Sequence, residues 1–311
     1  MQPVGRGRPS APTAIVGVDE IIPEQVVLNE NCRLTELSHN IREPLDALKW
    51  LAKRRIIKNN VECNNCQQPF SLNAYKDAAD AFRWYCKGCK QRQSVREGSF
   101  FSKSRLPLQK LIYYIYVWSR NMPQKEIQHE AVELETNPSV IGGINADGTP
   151  IVIEIDESKF FHRKYHRGQW RPGRWVFGGI ERVSRKCFLV EVPDRTAESL
   201  QNAILEFILP GSYIVSDGWA SYAGIERLND GIYFHAVVIH ERHFVDPLDN
   251  EIHTQNIENL WMRAKCKLRQ QFGTYKDLFT SHLHEFIWRQ RFKEFPIFSA
   301  FLTCVSRQYP L

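Results

Sequence analysis

Three acidic residues in the second half of the chain could bind hard metal ions. Asp156 follows the apolar stretch "IVIEI", and Asp217 ends a similar stretch, "SYIVSD". Glu258 lies in "HTQNIENLWMRAK", which is typical of the start of a helix, with Glu258 at the edge of its apolar stripe. Carboxylate oxygens are ligands that Mg²⁺ and Mn²⁺ prefer, and two such ions can bind the attacking and leaving oxygens of a phosphodiester. The three acids therefore predict a Mg²⁺ or Mn²⁺ site, or else ion pairs with nearby Arg or Lys side chains.

The alternation of residue types indicates how the first acid is positioned. In "IVIEIDESKF", Ile151, Ile153 and Ile155 fall on one face of a strand. Glu154 and Asp156 fall on the opposite face, followed directly by Glu157. Burying a carboxylate is costly unless a cation meets it. We therefore expect a metal ion or a basic side chain beside this face of the strand.

The elements after residue 150 alternate between strands and helices. Strands are predicted over 151–156, 175–181, 186–192, 212–217 and 234–239, and helices over 197–208, after residue 217 and from Thr254 onward. The second and third of these strands are separated by "RVSR", which suits a hairpin. This order predicts an α/β fold with a mixed sheet.

Eight cysteines occur, and four of them form two CxxC pairs: Cys63 with Cys66, and Cys86 with Cys89. Nineteen residues separate the pairs, which is the spacing of a zinc ribbon, in which two turns present four thiolates to one tetrahedral ion. A redox dithiol is the alternative. A site closed by four protein ligands would be structural. The remaining cysteines are expected to be ordinary core or surface thiols.

The densest positive charge in the chain lies in "FFHRKYHRGQWRPGRW", residues 160–175, which contains aromatic residues and no acid. Its basic residues are Arg163, Lys164, Arg167, Arg171 and Arg174. Cations can bind phosphates and aromatic rings can stack on unpaired bases, so this loop predicts contact with DNA. Basic and aromatic residues around the cysteine pairs, among them Arg83, Trp84 and Arg96, favour the same partner. Each patch alone could be a solvated surface.

The composition permits a nucleic-acid partner without requiring one. The 311 residues carry a formal net charge of +6, with 43% hydrophobic and 24% charged residues. The longest apolar run, "LIYYIYVW", is too short to span a bilayer, so no membrane association is expected. The N-terminus has no convincing signal-peptide core and is rich in Pro, Gly and Arg, so a disordered tail is expected.

Several separate blocks resemble one family. "EIDESKFFHRKYHRGQWRPGRWVFGGIER", "CFLVEVPDRTAESL", "IVSDGWASY" and "FVDPLDNEIHTQNIENLWMRAK" are similar to the Merlin superfamily of DDE transposases and its bacterial insertion-sequence relatives, which carry an N-terminal zinc ribbon. The resemblance extends from about residue 45 to residue 293 and includes the cysteine pairs.

The resemblance implies an RNase H-like catalytic domain whose triad is Asp156, Asp217 and Glu258. It implies Mg²⁺- or Mn²⁺-dependent hydrolysis at transposon ends, then attack of the freed 3′-hydroxyl on target DNA. It also implies DNA as a partner, a homo-oligomer, and structural Zn²⁺. In a eukaryote the compartment would be the nucleus, and otherwise the cytoplasm or nucleoid.

These inferences predict five segments. A disordered tail (1–30) precedes a helical segment with the zinc ribbon (31–105), a helical segment (106–145), the catalytic domain (146–295) and a C-terminal tail (296–311). Family members usually carry a helix-turn-helix between ribbon and catalytic domain. Here "SRNMPQKEIQHE" resembles its beginning, but "AVELETNPSVIGG" follows at once, so the recognition helix is expected to be missing.

Two other functions remain open at this point. The first is a non-catalytic DNA-binding descendant of a transposase, which would use only the ribbon and the basic loop. The second is a zinc-ribbon protein of the transcription class with an unrelated α/β domain. The second alternative does not predict the three carboxylates in matching blocks.

Overall fold

A computed structural model of the protein describes residues 11–121, 140–161, 173–238, 253–270 and 278–310. The chain divides into two compact units. The first comprises Met1–His129 together with Phe292–Leu311, and the second comprises Glu130–Arg291. The segment expected to lack the recognition helix, 122–139, lies outside the described residues, as does most of the basic loop, 162–172.

The described residues contain eight α-helices and ten strands. The helices are α1 (Glu24–Asn29), α2 (Leu34–Asn40), α3 (Pro44–Lys53), α4 (Leu108–Ser119), α5 (Ala197–Phe207), α6 (Gln255–Gln270), α7 (Phe279–Arg291) and α8 (Ile297–Gln308). The strands are β1 (Ser71–Ala74), β2 (Phe82–Tyr85), β3 (Arg92–Ser94), β4 (Ile141–Gly142), β5 (Val152–Phe160), β6 (Arg174–Glu181), β7 (Cys187–Val192), β8 (Ile208–Leu209), β9 (Tyr213–Asp217) and β10 (Phe234–Val238). Short 3₁₀ turns follow β9 at Ala220–Tyr222 and Ile225–Asp230, where a short helix is predicted.

Both predicted tails are wrong within the described residues. Residues 11–30 include helix α1, whose Val27 and Leu28 are buried. Residues 297–308 form α8, which buries Phe298, Phe301 and other apolar side chains and contacts α1. The apolar residues of each segment find partners in the other, far away in sequence. The prediction of disorder, which concerned the N-terminal tail alone, rested on local composition and could not take this packing into account.

The first unit also contains an antiparallel sheet of three short strands, in the order β1-β2-β3. A buried ion pair joins its loops to helix α4. Arg96 donates from Nε to Asp80 Oδ2 at 2.5 Å and from Nη2 to Oδ1 at 2.6 Å, and also donates to the carbonyls of Ser104 and Leu106. Asp80 further accepts the backbone N–H of Leu108, in the first turn of α4. Arg96 is therefore a structural residue and does not belong to the predicted DNA-contacting surface.

We expect Asp80→Ala to lower the free energy of unfolding by about 3 kcal/mol, because it leaves the Arg96 guanidinium buried without its counter-charge. Urea denaturation of the purified chain measures the change. Glu24→Gln is the matched control, since Glu24 pairs with Arg307 at the surface, where both side chains are about half exposed. Equal effects of the two substitutions would contradict the structural role of the buried pair.

The second unit is built on a mixed five-stranded sheet in the order β10-β9-β5-β6-β7. Strands β5, β6 and β7 pair antiparallel in sequence, whereas β9 lies parallel to β5 and β10 lies parallel to β9. Helix α5 joins β7 to β9 through the two-residue strand β8. This mixed sheet with flanking helices confirms the predicted RNase H-like α/β fold class, with the first strand, β5, at the centre.

Each face of this sheet carries its own apolar core. Ile153, Ile155 and Ile214 pack on one face with residues of α5. On the other face, Val176 and Leu189 pack with residues of α6 and α7, among them Trp261. Strand β5 continues to Phe160, four residues beyond its predicted end, because its pairing with β6 extends to Arg174. The predicted DNA-facing loop therefore begins after Phe160.

Candidate metal centres and active site

The structure places two of the predicted catalytic acids on neighbouring strands. Parallel pairing of β5 with β9 matches Val152 with Tyr213 and ends where Glu154 matches Val215. Asp156 and Asp217 each lie two residues beyond that last pair, so they occupy equivalent positions on adjacent parallel strands. Asp217 ends β9, whereas Asp156 lies in the middle of β5, which continues to Phe160. The negative charge of Asp217 acts on Asp156. The predicted position at a strand end is therefore observed for Asp217 but not for Asp156, because pairing with β6 extends β5 beyond that residue.

Asp156 accepts two hydrogen bonds, but its surroundings disfavour the ionised form of its carboxyl group. Its Oδ2 accepts the indole N–H of Trp261 at 2.9 Å, and its Oδ1 accepts the backbone N–H of Glu157 at 2.7 Å. Burial, followed by the negative charges of Glu157 and Asp217, nevertheless raises the pKa of Asp156 to about 7. A carboxylate so crowded by like charges gains stability when a cation binds beside it. The donor set of oxygen atoms therefore suits a hard divalent ion.

Glu258, the third predicted ligand, lies in the first turn of α6, and its backbone N–H donates to the carbonyl of Thr254. Its side chain is exposed. Among the described residues, the four cysteines form the one group of three or more His, Cys, Asp or Glu whose ligand atoms all lie within 4.8 Å of one another. The carboxylate oxygens of Asp156, Asp217 and Glu258 do not all lie within that distance of one another, so their role as a metal-binding triad stays a prediction.

Trp261 is a neighbour of the site, although from the sequence it belongs only to the apolar stripe of α6 formed with Ile257, Leu260 and Ala264. Its ring packs in the core with Phe160, at a centroid distance of 6.0 Å, while its N–H reaches Asp156. A polar N–H on an apolar stripe, three residues after Glu258, is the signal that could have identified it, because a buried indole usually finds an acceptor.

A glycine makes room for this indole. Gly178 is the β6 residue opposite Asp156, and a methyl group there would lie 2.8 Å from the Trp261 ring and 2.7 Å from Leu189. We expect Gly178→Ala to lower the free energy of unfolding by about 1–3 kcal/mol and to displace the indole from Asp156. Chemical denaturation and the near-ultraviolet circular dichroism of the tryptophan measure the two effects.

Gly179→Ala is the matched control for that substitution. Its added methyl group would meet Phe188 at 2.5 Å on the opposite face of the same strand. It should destabilise the sheet comparably while leaving the Trp261 environment unchanged. Identical spectral changes in both variants would contradict the role of Gly178 beside Asp156.

The two glutamates that flank Asp156 are both engaged by protein groups. Glu157 pairs with Arg195, whose Nη1 lies 3.1 Å from Oε1, and accepts the Tyr222 hydroxyl at 2.5 Å. Burial, followed by the negative charge of Glu157, raises the pKa of that hydroxyl. Glu154 pairs with Arg182 and with the start of α6. Both glutamates therefore have a basic partner of the kind expected beside this strand, Arg195 for Glu157 and Arg182 for Glu154.

The four cysteines of the CxxC pairs meet at the base of the small sheet. Cys63 and Cys89 have sulfur atoms 3.3 Å apart, and so do Cys66 and Cys86. Desolvation opposes ionisation of Cys63, but hydrogen bonds from the backbone N–H groups of Cys66 and Asn65 outweigh it and lower the pKa of this thiol to about 6. Four convergent sulfurs, one of them readily ionised, are the donor set of a tetrahedral zinc site.

The predicted DNA-binding residues are mostly outside the described part of the chain. Arg163, Lys164, Arg167 and Arg171 lie in 162–172 and are not described. Arg174 pairs with Glu191, with Nη1 3.0 Å from Oε2, and lies over the ring of Phe279. The positive charge of Arg174 is thus partly neutralised by Glu191. Along the chain that the structure describes, none of the helices has the length and apolar character needed to cross a membrane.

Comparison with known proteins supports the resemblance. The family model for the ISXO2-like transposase domain matches residues 139–294. An uncharacterised transposase-like protein of Haemophilus influenzae is 30% identical over 104 residues, which cover 33% of this chain and 80% of that protein. The male abnormal protein mab-31 of Caenorhabditis elegans is 27% identical over 235 residues, 63% of this chain. The match spans only 54% of the worm protein's length.

Two solved structures show weaker likeness. The catalytic core domain of BIV integrase is 15% identical, with a TM-score of 0.32, and the match covers 44% of this chain and 81% of that one. The HTLV-2 integrase catalytic core domain in complex with magnesium is 10% identical, with a TM-score of 0.29, covering 45% and 83%. The family match and the sequence relatives confirm the predicted resemblance to DDE transposases and to bacterial relatives.

Proposed function

The chain belongs to the ISXO2-like transposase domain family, and we propose that it is a DNA transposase that cuts transposon ends and joins the freed 3′-hydroxyl to target DNA. One observation carries the proposal. Asp156 and Asp217 occupy equivalent positions on the adjacent parallel strands β5 and β9, and Glu258 lies in the first turn of α6, which packs on β5. Acids on three separate elements of one unit are what a shared metal site requires.

In this proposal Asp156, Asp217 and Glu258 hold Mg²⁺ or Mn²⁺. When bound, such ions stabilise the charge on the attacking and leaving oxygens of an in-line phosphoryl transfer. The chain's own contribution is orientation. The Trp261 indole and the Glu157 backbone N–H fix both oxygens of Asp156. The raised pKa of Asp156 makes ion binding release a proton, so binding is expected to strengthen as the pH rises through 7.

A strand-cleavage assay tests the proposal. Purified protein is incubated with labelled DNA that carries the transposon ends and with Mg²⁺ or Mn²⁺, beside an Asp217→Asn control. The expected result is metal-dependent nicking and strand-transfer products with the wild type alone. Equal cleavage by wild type and control would show that a contaminating nuclease or another site is responsible, and the enzymatic proposal would fail.

The second candidate is a non-catalytic DNA-binding protein derived from such a transposase. The separation of the three carboxylates favours it, as does the exposed position of Glu258. This candidate predicts DNA binding that is unaffected by Asp156 or Asp217 substitutions and no cleavage under any metal condition. The assay described above discriminates between the two functions.

We infer that Cys63, Cys66, Cys86 and Cys89 hold a structural Zn²⁺ ion, and that Arg163, Lys164, Arg167, Arg171 and Arg174 face DNA. The active form is proposed to be a homo-oligomer, because the reaction must act on two transposon ends. In a eukaryotic cell the protein would work in the nucleus.

A further inference from the structure

We infer that Glu154 is a positioning residue for the metal site, because it anchors the helix that carries Glu258 to the strand that carries Asp156. The inference deepens the proposed function and rests on it. Glu154 has no exposed surface, although it is an acid in the middle of a strand. A carboxylate is buried so completely only when its lone pairs are satisfied by strong donors.

The donors are the first backbone N–H groups of α6. Oε2 of Glu154 accepts the N–H of Asn256 at 2.8 Å and that of Ile257 at 3.1 Å, and Oε1 accepts the side-chain amide of Asn256 at 2.6 Å. The first N–H groups of a helix have no partner within the helix and carry its positive dipole end. Glu154 therefore acts as an N-terminal cap supplied by another element, 102 residues away in sequence.

The turn between β6 and β7 holds the same helix end from a second side. Arg182 donates from Nε to Glu154 Oε1 at 3.1 Å and from Nη2 to the carbonyl of His253 at 2.9 Å. Arg185, in the same turn, donates to the side-chain oxygen of Asn256. The charge of Glu154 thus links the Arg182 guanidinium to the backbone of α6, and the start of the helix cannot rotate without breaking several charge-assisted hydrogen bonds.

This anchor sets the distance between the proposed ligands. Glu154 and Asp156 lie on the same face of β5, two residues apart, and Asp156 contacts Trp261 one turn further along α6. The next residue on that face, Ser158, accepts Lys265 Nζ at 2.6 Å. Three successive contacts therefore join β5 to α6, made by Glu154, Asp156 and Ser158. On α6, Glu258 lies between the residues that contact Glu154 and the residue that contacts Asp156. Its backbone position relative to Asp156 therefore follows from the Glu154 contact.

Mn²⁺ titration of the full chain, followed by the electron paramagnetic resonance of free Mn²⁺, tests the inference without relying on activity. The wild type, Asp156→Asn, Glu154→Gln and Glu181→Gln are compared. The component lost in Asp156→Asn defines the proposed site. Glu181 is the matched control, since it is a buried acid in the same sheet that accepts Gly142 N–H at 2.8 Å and the Ser184 hydroxyl.

We expect Glu154→Gln to weaken the Asp156-dependent Mn²⁺ binding by about tenfold or more, and Glu181→Gln to leave it unchanged although both variants melt at a lower temperature. Wild-type affinity in a folded Glu154→Gln variant would overturn the inference. Should that variant fail to fold, Glu154→Asp keeps the charge on a shorter side chain and must also weaken binding. Absence of any Asp156-dependent binding in the wild type would instead refute the proposed metal site itself.

Discussion

Asp156→Asn is expected to abolish strand cleavage and, at the same time, to stabilise the metal-free protein. The loss of activity follows if the carboxylate holds a catalytic ion, since removing one electrostatic contribution to a transition state costs about 10² to 10³-fold in rate. The gain in stability follows from the crowding of Asp156 by Glu157 and Asp217 and from its burial, which asparagine relieves. Cleavage rates and thermal unfolding of the two proteins measure both effects.

The raised pKa of Asp156 determines how the stability gain of Asp156→Asn changes with pH. The folded-state pKa of Asp156 is raised from 3.8 to about 7. A raised pKa means that the folded protein holds the proton more tightly, so this contribution to stability is complete below pH 3.8 and is lost as the pH rises through 7. A difference of this size between the folded and unfolded pKa values corresponds to about 4 kcal/mol. The stability difference between Asp156→Asn and wild type should therefore grow between pH 4 and pH 8.

Glu198→Gln is a suitable control for Asp156→Asn. Glu198 lies in the exposed first turn of α5, so its substitution should change neither the cleavage rate nor the pH profile. A parallel stability profile for wild type and Asp156→Asn would contradict the raised pKa. Full cleavage activity of Asp156→Asn would remove Asp156 from the proposed ligand set.

The double variant Cys63→Ser with Cys86→Ser is expected to lose bound zinc and to unfold the sheet β1-β2-β3. Together the two substitutions remove one sulfur from each close pair of the four-cysteine centre. The sheet has three strands of three or four residues and buries few side chains, among them Phe70, Leu72 and Trp84. So small a core needs a metal to fold, and structural zinc contributes about 10 kcal/mol in isolated zinc fingers.

Zinc content by elemental analysis and amide hydrogen exchange over residues 71–94 measure this effect. Cys266→Ser is the matched control, because Cys266 is an exposed cysteine on α6, outside the cluster. It should retain one zinc ion per chain and normal protection of the sheet. Zinc retained at full occupancy in the double variant would refute the four-thiolate centre.

Local patterns in the sequence were sufficient for much of the fold. The alternation of Ile153 and Ile155 with Glu154 and Asp156 predicted the two faces of β5, because neighbouring side chains on a strand point in opposite directions. The "RVSR" hairpin and the four-cysteine cluster could be predicted equally well, since both depend on residues close together in the chain. The family resemblance supplied the candidate triad in the same way, from short blocks.

The partner of each acid, in contrast, was decided by the tertiary structure. "IVIEIDESKF" contains three acids, and the sequence alone leaves an ion pair or a metal ion open for each. Packing of α6 on β5 directs Glu154 to the helix N-terminus and brings Asp156 to an indole. The connection between β7 and α5 brings Arg195 to Glu157, and the segment after β9 brings Tyr222 to it. These contacts join residues 38 to 105 positions apart. Such pairings arise only when distant elements pack, because a side chain's charge and its position on a strand do not specify which donor will reach it.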